Sequence, residues 1–126
     1  MFLLKQINKR FIVLFLLVIL LLPAVFALFN SGFLVTDDGD WMVIRFSAFY
    51  SALRDGQFPV RFLGQLNYGY GYPVSNFLYP GFMYLAMPIH ALGFDFVQTI
   101  KIMFGFSMVS SGIFIFLWLS KLFKKE

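Results

Sequence analysis

The polar side chains of this chain that could do chemistry are concentrated between residues 37 and 84. The segment TDDGDW contains Asp37, Asp38 and Asp40, and Arg45 follows five residues after the last of them. A carboxylate held at a membrane surface can act as a general base on a hydroxyl group, and its oxygens can bind a divalent cation. The alternative is that these acids are solvated residues at a helix start, favoured there by the helix dipole. The motif alone leaves both interpretations open.

Arg45 and a Gly/Tyr segment are further candidates for binding. A planar guanidinium suits a phosphate group, although Arg45 could equally extend its charge toward lipid head groups. The segment NYGYGYP, residues 67–73, alternates glycines that permit unusual backbone angles with tyrosine rings suited to a membrane interface or the face of a sugar. His90 stands in an apolar run with no second His in the sequence, so we expect a packed or hydrogen-bonded ring and assign no metal to it.

The composition favours a membrane protein. Of the 126 residues, 60% are hydrophobic, 21% aromatic and 13% charged, whereas soluble domains are typically about half apolar and about 25% charged. Without cysteine, the chain has no disulfide, thiolate nucleophile or cysteine-based zinc site. The net charge of +4 comes from basic residues beside hydrophobic runs, which is typical of a topology signal. We therefore expect an all-α membrane protein without a nucleic-acid partner.

Three hydrophobic runs predict about three transmembrane helices, at residues 11–29, 77–94 and 97–119. The uncharged first run is just long enough to cross a hydrocarbon core of about 30 Å. A cleaved signal peptide is the alternative for it, but its length and the lack of a small-residue cleavage site favour an uncleaved anchor. The second run contains Pro80 and Pro88, so a re-entrant or broken helix is the alternative there.

A loop at residues 30–76 separates the first two predicted spans, and it should contain a helix over Trp41–Leu53. Asp residues of the kind that cap helices precede this segment, and Gly56 follows it where a C-terminal glycine is expected. Steps of three and four residues bring Asp38 and Arg45 to one side of the helix. We expect an amphipathic helix that lies along the membrane surface or against other helices.

Charge distribution predicts the topology. Lys5, Lys9 and Arg10 precede the first span, so the N-terminus should be cytoplasmic and the loop at 30–76 extracytoplasmic. Three crossings would then put the basic tail KLFKKE outside, against the positive-inside tendency. Either the run at 77–94 does not cross, or later spans fix the topology; the residues leave both open.

Three segments between Thr36 and Lys101 together resemble a known family. They are TDDGDWMVIRFSAFYSALRDGQFPVRF, NYGYGYPVSNFLYPGFMYL and LGFDFVQTIKI. The chain is similar here to the start of the bacterial and archaeal membrane proteins called 6-pyruvoyl-tetrahydropterin synthase-related, polytopic GT-C-type glycosyltransferases akin to YfhO-like and oligosaccharyltransferase-like enzymes. The matching positions are Asp38 with Gly39, Arg45, Leu53, Gly56, Pro59, Arg61, Gly69 to Pro73, and Tyr79 with Pro80. Many relatives have His four residues after the Asp, where this chain has Met42.

The resemblance implies a plasma-membrane glycosyltransferase that uses a sugar donor linked to polyprenyl phosphate or diphosphate. It implies Asp38 as the catalytic carboxylate, which activates the acceptor or coordinates a divalent cation. Because Met42 stands where many relatives have His, no role of that His carries over to this chain. The implied substrate-binding residues are Asp40, Arg45, Arg61, Tyr70 and Tyr72. Such enzymes have about eight or more spans, so we expect the chain to be an N-terminal portion that is inactive alone and needs the remaining spans. The alternatives are a small non-enzymatic membrane protein that packs through Ser107 and Ser111, and a transporter fragment.

Overall fold

A computed structural model describes residues 2–32 and 36–123 of the chain, with side chains from Phe11 onward. Its four α-helices are α1 (Phe2–Phe26), α2 (Gly39–Arg54), α3 (Gly81–Ala91) and α4 (Phe96–Leu122). Short 3-10 turns occupy Ala27–Phe29, Asn67–Gly69 and Val74–Asn76. Within these described ranges there is no β-strand, although Leu63 and Tyr72 form an isolated antiparallel bridge. The predicted all-helical class is confirmed.

Two segments are long and apolar enough to cross a membrane. They are Phe11–Phe29, of 19 residues, and Phe96–Leu122, of 27 residues, in which an 18-residue window has a mean hydropathy of 3.3 and 2.0, respectively. At about 1.5 Å rise per residue, both reach nearly the thickness of a hydrocarbon core or exceed it. These segments correspond to the first and third predicted spans.

The second predicted span, at residues 77–94, is not confirmed. Its helix, α3, has 11 residues, which extend about 16 Å, roughly half of a hydrocarbon core. The chain is still in a 3-10 turn at Val74–Asn76 and becomes α-helical only after Pro80. The helix ends before Gly93, whose φ of 103° is accessible to glycine at little cost. Prolines and a glycine thus divide an apolar run that composition alone describes as continuous.

The chain forms two compact units, residues 1–31 with 104–126 and residues 32–103. In the first unit, α1 and the second part of α4 pack closely. A Cβ atom on Gly112 would lie 2.6 Å from Leu21 Cδ1, and one on Gly105 would lie 3.3 Å from Val25 Cγ1. Gly112, further along α4, meets Leu21, which comes earlier on α1, while Gly105 meets Val25. The two helices are therefore antiparallel. Lys124 and Lys125, which the topology prediction uses, lie outside the described residues.

The helix predicted over 41–53 is present as α2, and its end follows a common C-terminal pattern. Gly56 adopts a φ of 90°. Its N–H donates to Leu53 O at 3.0 Å, and the N–H of Gln57 donates to Ala52 O at 3.0 Å. These two bonds form a Schellman motif, which satisfies carbonyls at the end of the helix. The expectation for Gly56 is therefore confirmed, while the position of α2 relative to a membrane stays a prediction.

The core of the second unit lies between α2, α3, the loop that joins them and the first turns of α4. Phe46, Phe49, Val60, Leu63 and Ile100 are at most 1% exposed. The rings of Phe49 and Tyr84 meet edge to face at 4.8 Å, an arrangement that favours packing of α2 on α3. This core fixes α2 and the 57–72 loop, which carry the predicted site residues.

Candidate functional site

The acidic residues stand at the start of α2. Asp38 occupies the N-cap position, and its carbonyl oxygen accepts a hydrogen bond from the N–H of Met42 at 2.9 Å. Its side chain makes no capping hydrogen bond, so the expected capping role is not confirmed. Asp37, Asp38 and Asp40 are all exposed. The helix start therefore leaves the Asp38 carboxylate available for other contacts.

A groove of about 620 Å³ lies between α2 and the Gly/Tyr loop. From α2 it receives Trp41, Ile44 and Arg45. From the loop it receives Gln65, Leu66, Asn67, Tyr68 and Tyr72. The groove thus combines one guanidinium group, two side-chain amides and three rings that carry a polar atom. These groups can bind a phosphate, hydroxyl groups and the face of a sugar ring, respectively.

Two of the predicted site residues, Arg45 and Tyr72, line this groove. Asp38 and Asp40 lie one to two turns before Arg45 on α2 and do not line it. Arg61 and Tyr70 do not line it either, and Tyr70 is 84% exposed. The structure therefore brings together part of the predicted set, and the functional roles of all six residues stay predictions.

Backbone pairing shapes the loop side of the groove. The N–H of Leu63 donates to Tyr72 O at 2.9 Å, and the N–H of Tyr72 donates to Leu63 O at 3.0 Å. Within the loop so closed, the N–H of Gly71 donates to Leu66 O at 2.9 Å. Asn67 and Tyr68 adopt φ values of 55° and 58°, which are uncommon for residues other than glycine. This tight turn carries the Asn67 and Tyr68 side chains to the groove.

Gly71 is required where the loop closes on itself. Its φ is 81°, and a Cβ atom at this position would overlap the ring of Phe62. Any other residue would therefore meet both backbone strain and a steric clash. The second glycine of the GYGYP segment has a structural role beside any functional one.

Gln57 and Tyr84 hold the segment before the loop. The Gln57 side-chain oxygen accepts hydrogen bonds from the N–H of Arg61 at 2.7 Å and of Phe62 at 2.9 Å. The Tyr84 hydroxyl oxygen accepts one from the N–H of Val60 at 2.8 Å. These bonds fix the backbone at Arg61 while its side chain is exposed. Sequence reasoning missed these supports, since each bond joins a side chain to a backbone N–H and no local pattern predicts that pairing.

His90 is packed and hydrogen-bonded, as predicted. Its Nδ1 lies 2.7 Å from Phe94 O, and its ring stacks on Phe96 with centroids 4.4 Å apart. The Tyr50 ring meets it edge to face at 4.7 Å, and Phe46 does so at 6.0 Å. The histidine thereby joins α2, α3 and the first turn of α4.

A divalent cation at the acidic segment stays a prediction. In the ranges that the structure describes, no three side chains of His, Cys, Asp or Glu are grouped so that they could hold a metal ion. Asp37, Asp38 and Asp40 therefore do not form a preassembled set of ligands. Any cation at Asp38 would need ligands from the substrate or from elsewhere.

Comparison with known proteins identifies no relative. No family model matches the sequence, and no curated protein and no solved structure matches it. A function for the chain is therefore inferred from its residues, from the geometry of the second unit and from the resemblance described above.

Proposed function

We propose that the chain forms the first part of a plasma-membrane glycosyltransferase whose sugar donor is linked to polyprenyl phosphate. The observation that carries the proposal is the groove in which Arg45 lies with Trp41 and Tyr72. A positive guanidinium beside aromatic faces suits a ligand that joins a phosphate to a sugar ring. The amides of Gln65 and Asn67 supply donors and acceptors for hydroxyl groups.

Asp38 is the proposed general base. The acceptor hydroxyl oxygen attacks the anomeric carbon, its proton passes to the Asp38 carboxylate, and the bond from that carbon to the phosphate oxygen breaks. The phosphate leaves with the bonding electron pair from the face opposite the attack, so the configuration at the anomeric carbon inverts. Asp38 and Arg45 are seven residues apart on one side of α2, about 10 Å along the axis. That separation allows Arg45 to contact the departing phosphate while Asp38 stands near the acceptor.

The antiparallel pair of α1 and α4 supports a topology with two crossings. Lys5, Lys9 and Arg10 lie at the start of α1, and Lys121 lies in the last turn of α4. Because the helices are antiparallel, these basic residues share one end of the pair, which the positive-inside rule assigns to the cytoplasm. The acidic segment then lies on the extracytoplasmic side. Two crossings, with α3 too short to add a third, remove the conflict that three crossings create.

The fit between α1 and α4 also supports an uncleaved anchor. Gly105 and Gly112 allow the backbone of α4 to approach Val25 and Leu21 of α1. Close packing at small residues is how helices associate in membranes. A signal peptide removed after export would leave this surface of α4 without its partner.

The test of the proposed function is sugar transfer by the longer protein of which this chain is proposed to be the first part. The assay uses membranes that contain a labelled polyprenyl-phosphate-linked hexose. Replacing Asp38 with Asn should abolish transfer, because the amide cannot accept the acceptor's proton. Asp37→Asn is the matched control, an adjacent exposed acid without a proposed role, and it should retain activity. Undiminished transfer by Asp38→Asn would overturn the assignment.

A specific observation favours the alternative of a non-enzymatic membrane protein. Ser107 and Ser111 are exposed on α4, on the side roughly opposite Gly105 and Gly112, which face α1. This small-residue pair is therefore free of α1 and suited to packing against another helix. If packing were the whole function, Ser111→Leu would abolish it and Asp38→Asn would have no effect.

A further inference from the structure

Helix α3 is apolar on both of its sides. Met83 and Ala86, at 3% and 0% exposure, face the core of the second unit. The opposite stripe consists of Gly81, Leu85, Pro88 and Leu92, all exposed and spaced by four, three and four residues. Leu85 and Leu92 are 68% and 80% exposed. A helix at a water-facing surface normally has polar residues on its outer side, and here they are missing.

The chain around this stripe is equally poor in charge. No Asp, Glu, Lys or Arg occurs between residues 62 and 94. Just before α3, Phe77 and Tyr79 are 80% and 89% exposed. Of these two rings only that of Tyr79 has a polar tip, and exposed tyrosine rings are typical of the boundary between lipid and water. A contiguous apolar surface of this kind marks a contact with lipid or with protein.

The start of α4 identifies the occupant of the surface. The N–H of Gln98 donates to Asp95 Oδ1 at 2.7 Å, and the N–H of Asp95 donates to Gln98 Oε1 at 3.2 Å. These two bonds form a capping box, with Asp95 as the residue that precedes the helix. The candidate span Phe96–Leu122 begins directly after it. His90 stacks on Phe96, so the end of α3 is fixed to the first turn of α4. If α4 enters the bilayer here, the end of α3 lies at the level of the head groups.

We propose that α3 lies in the extracytoplasmic interface of the bilayer, with the stripe of Leu85, Pro88 and Leu92 in contact with acyl chains. The apolar face of an interfacial helix is typically buried about 5–10 Å into the boundary between head groups and acyl chains. The inference rests on the membrane crossing of α4 within the proposed function and is independent of sugar transfer. Its consequence is that the groove-bearing unit is held at the lipid surface, where a lipid-linked ligand is found.

The absence of cysteine makes a direct test simple. Single-cysteine variants Leu85→Cys and Leu92→Cys are labelled with an environment-sensitive fluorophore and reconstituted in lipid bilayers. We expect strong quenching by lipids brominated near the head-group end of their acyl chains, and weak quenching by aqueous iodide. Asp55→Cys, on the exposed end of α2, is the matched control and should show the reverse.

Two results would overturn the inference. Iodide quenching at position 85 as strong as at position 55 would show that the stripe faces water. Protection from both quenchers would show that protein covers it, either a second copy or another helix. Ile115→Cys, in the C-terminal part of α4 and 60% exposed, tests separately whether α4 crosses the membrane. Lipid quenching at position 115 without lipid quenching at position 85 contradicts the inference alone, whereas its absence at both positions contradicts the crossing as well.

Discussion

Arg45 carries the single charge among the described residues that line the groove. Its guanidinium should bind the donor phosphate, and a hydrogen bond to a charged group contributes roughly 1.5–3 kcal/mol. Arg45→Ala should therefore weaken binding of a short-chain polyprenyl-phosphate sugar by about tenfold or more. Trp41 lies in the same groove, so its fluorescence, in a Trp118→Phe background, reports the titration.

Arg54→Ala is the control for this titration. Arg54 lies on the same helix and has the same charge, but its guanidinium sits 5.7 Å from the centroid of the Tyr50 ring and does not line the groove. Its removal should leave the affinity within about twofold, since charges in water beyond a Debye length of about 8 Å are largely screened. Equal losses for both variants would indicate a general charge effect and contradict a phosphate site at Arg45.

Substitution of Gly71 tests the geometry of the Gly/Tyr loop. Gly71→Ala should lower stability by about 1–3 kcal/mol, because alanine resists a positive φ and its Cβ would overlap the Phe62 ring. Gly64→Ala is the matched change, since its Cβ would meet open space. Thermal unfolding of the two variants in detergent gives the comparison, and an unchanged melting temperature for Gly71→Ala would contradict the loop geometry.

Residue types predicted part of this groove and could not predict the rest. Arg45 and Tyr72 stood out because a guanidinium and an interfacial ring are chemically distinctive. Asn67 and Gln65 did not, since their contribution depends on positive φ angles and on the bridge between Leu63 and Tyr72. Those features arise from pairing across the loop, which no local pattern records.

At the scale of elements, two acids at helix starts have different structural roles. Asp95 accepts a capping hydrogen bond from Gln98 at 2.7 Å, while the Asp38 side chain makes no capping bond. Asp95→Ala should therefore cost about 1 kcal/mol of stability, and Asp38→Ala should cost less. Unfolding measurements test this order. Loss of sugar transfer with little loss of stability in Asp38→Ala would separate a chemical role from a structural one, and a larger loss of stability at Asp38 would contradict the structural assignment.

Local signals also explain which helices could be predicted. The acids before α2 and Gly56 after it marked both ends to within two residues, because caps act through local backbone bonds. The apolar run at 77–94 gave the wrong length for α3, since hydropathy does not register that Pro80 delays the helix and that Gly93 ends it. A run of apolar residues therefore predicts contact with lipid or core more reliably than it predicts a crossing.

For the whole molecule, the proposed function requires that the acidic segment lie on the extracytoplasmic side of the membrane. Both basic ends belong to one end of the α1 and α4 pair, so they should share the cytoplasmic side. The segment from Asp37 to Asp95 should then face the extracytoplasmic side as one piece. In the proposed function, this arrangement would give Asp38 and the groove access to a lipid-linked donor at that surface.

Labelling of single-cysteine variants in intact cells with a membrane-impermeant thiol reagent tests this claim most directly. We predict that Asp55→Cys reacts from outside without permeabilisation, and that Lys9→Cys and Lys121→Cys react only after it. Reaction of Lys121→Cys in intact cells would contradict the two-crossing topology. Protection of Asp55→Cys until the membrane is opened would put the acidic segment in the cytosol and contradict the proposed function itself.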